Sequence, residues 1–255
     1  MSYLLLRGLG RSSRHWGELP RALRDATSAE VVCLDLPGAG TEVTRISPRS
    51  VAAITDDVRA RFLPLAGARR FTLVGISLGG MVAMDWCARY PTDFAAVALL
   101  NTSCAEVARP WERMRLGVLP GVVRSLLDGD ATSREARILG MTTGRVELSR
   151  RQAIAERWAT FPAMSRRSAL SQIVAGARFR APPSLPIPAL VVAGGGDALC
   201  ASTASIALAH RFGAPLRLHP DAGHDLATDV PVWTAGVIAS WAKARGEEAS
   251  ATRRT

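Results

Sequence analysis

The sequence predicts an α/β protein built on a doubly wound, mostly parallel sheet, which an all-helical insertion interrupts. Short apolar runs typical of buried strands alternate with helical patterns up to residue 103. From residue 104 to residue 180 the sequence contains no strand-like run, and the alternation resumes at residue 189. With 255 residues, 48% of them hydrophobic, the chain is long enough to enclose a full core.

The predicted elements follow this pattern in chain order. Strands are predicted at residues 3–6, 31–34, 71–75, 95–100, 189–193 and 216–218. In the sheet domain, helices are predicted over residues 16–23, 51–62, 77–90 and 232–244. A further helix is predicted to follow the strand at 189–193 and to end at residue 212. The insertion is predicted to hold helices over residues 111–128, 132–141, 146–161 and 164–177. In the last of these, Leu170, Ile173, Val174 and Ala177 share one face by their spacing, and we expect that face to be buried.

These elements divide the chain into a sheet domain, residues 1–103 and 181–245, and the helical insertion, residues 104–180. Residues 246–255 are small and polar, so we expect a disordered tail. The two parts also differ in net charge, because the insertion carries 14 arginines and 7 acids. Its net charge of +7 is most of the chain's total of +10.

Lysine is nearly absent, since Lys243 is the one lysine among 32 basic residues. A Schiff-base enzyme or a phosphate-loop NTPase needs a lysine in its core motif, and no glycine-rich loop precedes Lys243. No uncharged stretch reaches the roughly 18 residues of a membrane span, and the N-terminus lacks the apolar run of a secretory signal. We therefore expect a soluble, cytoplasmic protein without a membrane partner.

The four cysteines lie far apart and show no CxxC or Cys/His ligand spacing. Free thiols are therefore expected, rather than disulfides or metal ligands, at Cys33, Cys87, Cys104 and Cys200. The basic charge comes without a nucleic-acid-binding motif or an aromatic platform, so no nucleic-acid partner is expected.

The strongest local signal is the motif GISLGG at residues 75–80, between an apolar run and a helical pattern. This is the context of a nucleophile elbow, a sharp strand-to-helix turn that presents a serine. Such a turn strains the serine backbone and leaves no room for bulky side chains two residues before and after it. Gly75 and Gly79 meet that requirement. Ser77 is therefore the predicted nucleophile.

A serine hydroxyl needs a base to remove its proton, and the base needs an acid to orient it. Among the four histidines, His224 lies in a loop just beyond the last predicted strand, where such a base is expected. His15, His210 and His219 fall inside predicted elements or at their ends, and we expect structural roles for them.

The predicted acid is Asp197, which follows the strand at 189–193 and a glycine turn. The other position where such an acid is found, after the strand at 95–100, holds Asn101, which cannot be an anion. Asp221 and Asp225 flank His224 in its own loop, and we expect structural roles for both.

With this order of serine, acid and histidine, the sequence resembles the α/β-hydrolase family over nearly its whole length. The matched motifs are RGLG at 7–10, DLPG at 35–38, GISLGG at 75–80, Asp197, and GH at 223–224. The resemblance implies that the backbone amides of Leu9 and Leu78 form an oxyanion hole, and that the insertion is a lid over the strand ends. Arg7 stands where the family usually has histidine, so it either braces the loop or faces the substrate.

A serine nucleophile implies acyl transfer, so the expected function is hydrolysis of a carboxylic ester or thioester through an acyl-enzyme on Ser77. This chemistry requires no metal and no organic cofactor. Two alternatives stay open. One is a C–C bond hydrolase or lyase that uses the same residues, and the other is a non-catalytic binding protein of this fold.

The insertion supplies further candidate substrate-binding residues. Apolar side chains expected to line an acyl pocket are Trp111, Met114, Trp158 and Phe161. The lid arginines, Arg150 and Arg151 among them, are expected to attract an anionic substrate or an acyl group on an acidic carrier protein. In this basic lid the sequence is similar to the pimeloyl-carrier-protein methyl ester esterases.

Overall fold

The computed structural model describes residues 2–252, with side chains for residues 2–245. Its centre is a six-stranded parallel sheet with the strand order β2-β1-β3-β4-β5-β6. The strands are β1 (Ser2–Leu6), β2 (Val31–Leu34), β3 (Phe71–Ile76), β4 (Phe94–Leu100), β5 (Ala189–Gly194) and β6 (Leu216–His219). Each predicted strand is present and ends within one residue of its predicted bounds.

Helices cover both faces of this sheet. Those of the sheet domain are α1 (Leu19–Thr27), α2 (Val51–Ala66), α3 (Leu78–Arg89), α9 (Ser202–Phe212), α10 (Leu226–Asp229) and α11 (Pro231–Thr252). Successive side chains of a strand point to opposite faces, so Leu4 and Leu6 pack with residues of α2 and α3, while Tyr3 and Leu5 pack with residues of α1 and α11. The sheet is therefore doubly wound, as the sequence predicts.

The strand order reverses at β1, which lies between β2 and β3. Leu6 pairs with Gly75 across β1 and β3, so the loops that follow these two strands leave the sheet side by side. In open α/β sheets, ligands bind at such a reversal, beyond the carboxyl ends of the strands.

Between β4 and β5 the described residues form helices and turns but no strand. The helices are α4 (Pro110–Arg113), α5 (Leu119–Leu127), α6 (Ala131–Thr142), α7 (Leu148–Ala159) and α8 (Arg166–Arg178). The prediction of one helix over 111–128 is wrong. Met114 adopts an extended backbone, and the N–H of Arg115 bonds the carbonyl of Leu199 at 2.9 Å instead of continuing the helix.

The predicted buried face of α8 is also wrong, because Leu170 is 55% exposed. The buried residues are small or polar: Ser168, Ala169, Ser171, Gln172 and Ala175. This face packs against loops whose backbone groups need polar partners. Gln172, for example, bonds the N–H of Gly10 and the carbonyl of Pro37.

At the C-terminus, α11 continues to Thr252 and so covers part of the segment predicted to be disordered. Residues 253–255 and the side chains of residues 246–252 lie outside the described residues, and disorder there stays a prediction. All four cysteines are free, as predicted. Within the described residues, no helix is long and apolar enough to cross a bilayer.

Candidate active site

Ser77 occupies the turn between β3 and α3, with a φ of +55° and a ψ of −119°. This conformation costs about 1–3 kcal/mol for a residue other than glycine. A Cβ on Gly75 would lie 2.3 Å from the carbonyl oxygen of Gly79, and one on Gly79 would lie 2.2 Å from that of Leu6. The backbone segments around Ser77 thus approach so closely that only glycine fits at either position, and the strained serine is held in place.

Asp197 and His224 form a buried pair, with Asp197 Oδ2 2.7 Å from His224 Nδ1. The other oxygen of the Asp197 carboxylate accepts the N–H groups of Leu199 and Cys200, each at 2.8 Å. Burial by itself lowers the pKa of His224, but the charge of Asp197 and its hydrogen bond outweigh burial and raise that pKa above its ordinary value. The carboxylate therefore stabilises the protonated imidazole.

Ser77 and His224 line the same cavity. His224 Nε2 is buried and has no hydrogen-bond partner among the described residues. Because Nδ1 faces the Asp197 carboxylate, the neutral ring carries its proton on Nδ1, and Nε2 keeps a free lone pair. Of the two hydrogen bonds expected along this triad, the structure contains the histidine–aspartate bond and not the serine–histidine bond, which often forms only when substrate is bound.

The loop after β1 lies directly against Ser77. A Cβ on Gly8 would be 3.0 Å from Ser77 Cβ and 3.5 Å from its Oγ. Leu9 and Leu78 both line the cavity, and the backbone N–H of neither bonds another described residue. The two amides expected to form the oxyanion hole are thus beside the serine and free to donate.

Gln172 of α8, a helix of the inserted segment 104–180 that we refer to as the lid, fixes this loop. Its Oε1 accepts the N–H of Gly10 at 3.1 Å, and its Nε2 donates to the carbonyl of Pro37 at 3.1 Å. The side chain is fully buried. The position of the Leu9 amide therefore depends on a residue of the lid.

Arg7 and Asp225 form a buried ion pair that joins the loop of Leu9 to the loop of His224. The two guanidinium Nη atoms of Arg7 donate to the two carboxylate oxygens at 2.9 and 2.7 Å. Burial raises the pKa of Asp225, but the charge and hydrogen bonds of Arg7 outweigh it and lower that pKa to about 2. Of the two roles the sequence leaves open for Arg7, the structure favours bracing, because both Nη atoms are already bonded.

Asn101, at the end of β4, holds the histidine loop from the opposite side. Its Nδ2 donates to the carbonyls of Gly223 and His224 at 3.0 and 2.8 Å, and its Oδ1 accepts the N–H of Gly194 at 2.9 Å. Its φ is +39°. Asn101 thus joins strand β5 to the loop of His224.

Sequence reasoning missed the positioning roles of Asn101 and Gln172. Asn101 did carry a signal, since a polar residue directly after a buried strand lies at the edge of the sheet where the site forms. Gln172 carried none, because its partner Gly10 is 162 residues away in the chain.

The cavity above these residues has a volume of about 730 Å³. Apolar lid side chains form much of its wall, and Met114, Trp158 and Phe161 are among them, together with Met141, Met164 and Ile138. Such a lining fits the acyl part of a substrate.

The structure does not bring Trp111, Arg150 and Arg151 to this cavity, which corrects the expectation for these three residues. Trp111 is 52% exposed. Arg150 is exposed and lies 3.7 Å from Glu18, while Arg151 donates to the carbonyl of Val146. Only the C-terminal end of α7 reaches the cavity, and the two arginines lie about 10 Å away along the helix, near its N-terminus.

The fold family follows from a comparison with known proteins. A family model described as the alpha/beta hydrolase fold matches residues 4–229, a segment that includes Ser77, Asp197 and His224. The chain belongs to the α/β-hydrolase fold family. It is 32% identical over 129 residues to a pimeloyl-[acyl-carrier protein] methyl ester esterase of Chromobacterium violaceum, a match that covers 50% of this chain and 48% of that protein. It is 29% identical over 149 residues to monoacylglycerol lipase abhd6-A of Xenopus laevis, covering 57% of this chain and 41% of that one.

These matches span about half or less of the length of the curated relatives. Solved α/β structures are similar over more of the chain. An enol-lactonase from Burkholderia xenovorans superposes with a TM-score of 0.76 and 21% identity, covering 95% of this chain and 91% of that one. At this identity the likeness shows the fold.

Proposed function

We propose that this chain is a serine hydrolase that cleaves a carboxylic ester or thioester through an acyl-enzyme on Ser77. The observation that carries the proposal is the strained Ser77 turn, which lines the same cavity as His224, the partner of Asp197. An enzyme tolerates such strain where it presents a nucleophile. A non-catalytic protein of this fold has no need for the strained serine and the charged pair together.

In the first half of the reaction, His224 Nε2 takes the proton of the Ser77 hydroxyl as Oγ bonds to the substrate carbonyl carbon. The amides of Leu9 and Leu78 donate to the oxyanion that forms, and each such donor is worth about 3–4 kcal/mol in other hydrolases. The oxyanion collapses, the bond to the leaving group breaks, and His224 returns the proton to that alcohol or thiol. The acyl group is then an ester of Ser77.

In the second half, water replaces the leaving group. His224 takes a proton from the water as its oxygen bonds to the acyl carbon, and the same amides hold the second oxyanion. The bond to Ser77 Oγ breaks and the proton returns to that oxygen, so the enzyme is regenerated and a carboxylic acid leaves. Throughout, Asp197 orients the imidazole and stabilises its charged form.

Two further features bear on the substrate. Relatives named as a methyl ester esterase and as a monoacylglycerol lipase both act on esters, which supports ester over C–C bond cleavage for this chain. The lid's net charge of +7 favours an anionic substrate or an acyl group on an acidic carrier protein.

The test is the variant Ser77→Ala, assayed with p-nitrophenyl hexanoate and with a fluorophosphonate label. We expect turnover to fall by roughly 10⁴-fold and labelling to stop, because both need the Ser77 oxygen. The control is Ser103→Ala, which removes another serine hydroxyl from the cavity lining, and we expect it to be labelled as fast as the wild type.

Circular dichroism and thermal melting establish that both variants are folded. More than a few per cent residual turnover in folded Ser77→Ala would contradict the proposal. A wild-type protein that binds esters but neither turns over nor takes the label would be a binding protein instead.

A further inference from the structure

A polar wall of the cavity takes no part in the chemistry described above. It consists of Arg11, His15, Arg134 and Glu135, with the apolar ring of Trp158 packed against Arg11 and His15, and all five residues line the cavity. Arg11 and His15 lie in the segment after β1, and the other three lie on lid helices α6 and α7. The wall therefore joins the sheet domain to the lid.

Arg11 is buried, with 7% of its surface exposed. Its Nη1 donates to the carboxylate of Glu135, and its guanidinium carbon lies 4.9 Å from the centre of the Trp158 ring. Its Nη2 is buried and has no partner among the described residues, and Nε makes no hydrogen bond with them either. A buried guanidinium donor without an acceptor costs about 1–3 kcal/mol or more, and an acceptor on the substrate would remove that cost.

The unbonded edge of the Arg11 guanidinium, formed by Nε and Nη2, has the geometry that binds a carboxylate. The Nε and Nη2 hydrogens of an arginine point in parallel and match the two oxygens of a carboxylate. Arg59 uses the same edge to bind both carboxylate oxygens of Asp93. Arg61 and Arg89 direct this edge to a single oxygen of Asp57 and of Asp85. Arg11 lines the cavity, and no described side chain is bonded to this edge.

His15 adds a neutral donor to the wall. Burial, and then the charges of Arg11 and Arg7, lower the pKa of His15 to about 2, so the ring is neutral. Its Nδ1 accepts the N–H of Ser12 at 3.0 Å, which places the ring proton on Nε2. The ring lies edge-on to Trp158, 4.8 Å between centres, and keeps this orientation.

The charges around the cavity favour an anion. Among its lining residues are five arginines, Arg7, Arg11, Arg113, Arg134 and Arg166, and three carboxylates, Asp128, Glu135 and Asp225. Asp225 pairs with Arg7 and Glu135 with Arg11, while Arg134 lies only 3.9 Å from Glu135. Positive charge is therefore in excess, and a carboxylate on the substrate would balance it.

We infer that the Nε and Nη2 edge of Arg11 binds a carboxylate of the substrate, so that the preferred substrates are esters that also carry a free carboxylate. This inference rests on the proposed ester hydrolysis at Ser77. Arg11 acts as a specificity residue, and His15 donates its Nε2–H beside it.

The experiment compares kcat/KM for matched pairs of esters. In one series the carboxylate is on the acyl side, as in the p-nitrophenyl monoesters of glutaric, adipic, pimelic and suberic acid, each paired with its terminal amide. In the other it is on the alcohol side, as in 6-acetoxyhexanoate paired with its amide. We expect the wild type to prefer the carboxylate in one series by about tenfold or more, and the series with the preference shows which side of the ester faces Arg11.

The deciding variant is Arg11→Lys, which keeps the charge and loses the paired donors. We expect the carboxylate-to-amide ratio to fall most of the way to one, and because it is a ratio within one variant, any general loss of activity cancels. In Glu135→Gln, which removes a competing negative charge, we expect the ratio to rise. The matched control is Arg157→Lys, an exposed lid arginine, for which the ratio stays at the wild-type value.

A wild type that hydrolyses the neutral esters without a carboxylate preference in either series overturns the inference and leaves the proposed function intact. A preference that Arg11→Lys and Arg157→Lys change equally also overturns it, because the effect would then be unspecific. If no ester is cleaved and the fluorophosphonate does not react, the proposed function itself fails.

Discussion

At the strand ends, Ser77 and Asp197 are held by short contacts with backbone a few residues away or on a neighbouring strand, whereas His224 and the lid are held by contacts between residues far apart in the chain. Asp197 binds the amides of Leu199 and Cys200 in its own turn. Gln172, in the lid, binds Gly10 across 162 residues. Local sequence therefore specifies the turns of Ser77 and Asp197, whereas tertiary packing specifies the lid and the support of the His224 loop.

This difference explains why the sequence predicts the turn that carries Ser77 but not the position of Arg150. A turn motif dictates where Ser77 points, because only glycine fits on both sides of it. A lid arginine has no comparable constraint, and Arg150 lies in solvent although its charge suggested a place near the substrate. The composition gives the net charge of the lid, but it does not show where an individual side chain lies.

The largest effect is expected at the strand ends, in Asp197→Asn. By analogy with other serine hydrolases, we expect kcat to fall by roughly 10⁴-fold. The base must be neutral to accept the Ser77 proton, so activity is lost as the pH falls through the pKa of His224. Because Asp197 raises that pKa, its removal should move the acid limb of kcat/KM to lower pH.

A pH profile of kcat/KM with a neutral p-nitrophenyl ester measures this shift. The control is Asp221→Asn, which changes an exposed acid in the histidine loop, and we expect no shift of the limb there. An acid limb that stays in place or moves to higher pH in Asp197→Asn would show that another group orients the histidine.

An intermediate effect is expected where the two regions meet, in Gln172→Leu. This change leaves the Gly10 amide without an acceptor and the Pro37 carbonyl without a donor. If Leu9 donates to the oxyanion, the disturbed loop weakens the transition state more than the bound substrate. We expect kcat to fall about tenfold with a smaller change in KM.

Steady-state kinetics with p-nitrophenyl hexanoate separate the two parameters. Ser168→Ala is the matched control, because its hydroxyl joins the same helix to Arg45 and Ser47, away from the oxyanion loop. An equal fall of kcat in both variants, or a rise in KM alone, would mean that Gln172 stabilises the lid without positioning Leu9.

The smallest effect is expected in the outer lid, in the double variant Arg150→Glu and Arg151→Glu. These side chains lie outside the cavity, so they act on an anionic ester only through the long-range field. We expect kcat/KM for the adipate monoester to fall about twofold to threefold at low salt, and the difference to vanish above about 0.1 M salt, where the Debye length is about 10 Å. The terminal amide should not respond, and an equal response of both esters would show that the lid charge does not steer the substrate.

The sequence alone predicted the sheet, its strands and the elements that carry Ser77, Asp197 and His224. Buried parallel strands are continuous apolar runs with sharp ends, so they can be recognised from the local sequence without knowing which elements they pack against. The lid helices were placed with less success, as the broken segment 110–127 and the polar buried face of α8 show. Their boundaries depend on contacts such as that of Arg115 with Leu199, which no local pattern encodes.

The roles of Arg11 and Gln172 were not predictable for the same reason. A single arginine after RGLG gives no indication that Glu135 will occupy one side of it and a cavity the other. Arg7 was predictable in part. The resemblance to the family marked this position as unusual, and the structure identifies its partner as Asp225.

Asn101 also limits how this enzyme can evolve. Its amide donates to two carbonyls and accepts one N–H at the same time, and a carboxylate at that position would face the two carbonyl oxygens without a proton to offer. The acid therefore cannot migrate from β5 to β4 by the substitution Asn101→Asp, although that needs a single change of residue. Any descendant that places its acid on β4 must first rebuild the histidine loop, so the two arrangements of acid are separated by intermediates in which the base has lost its support.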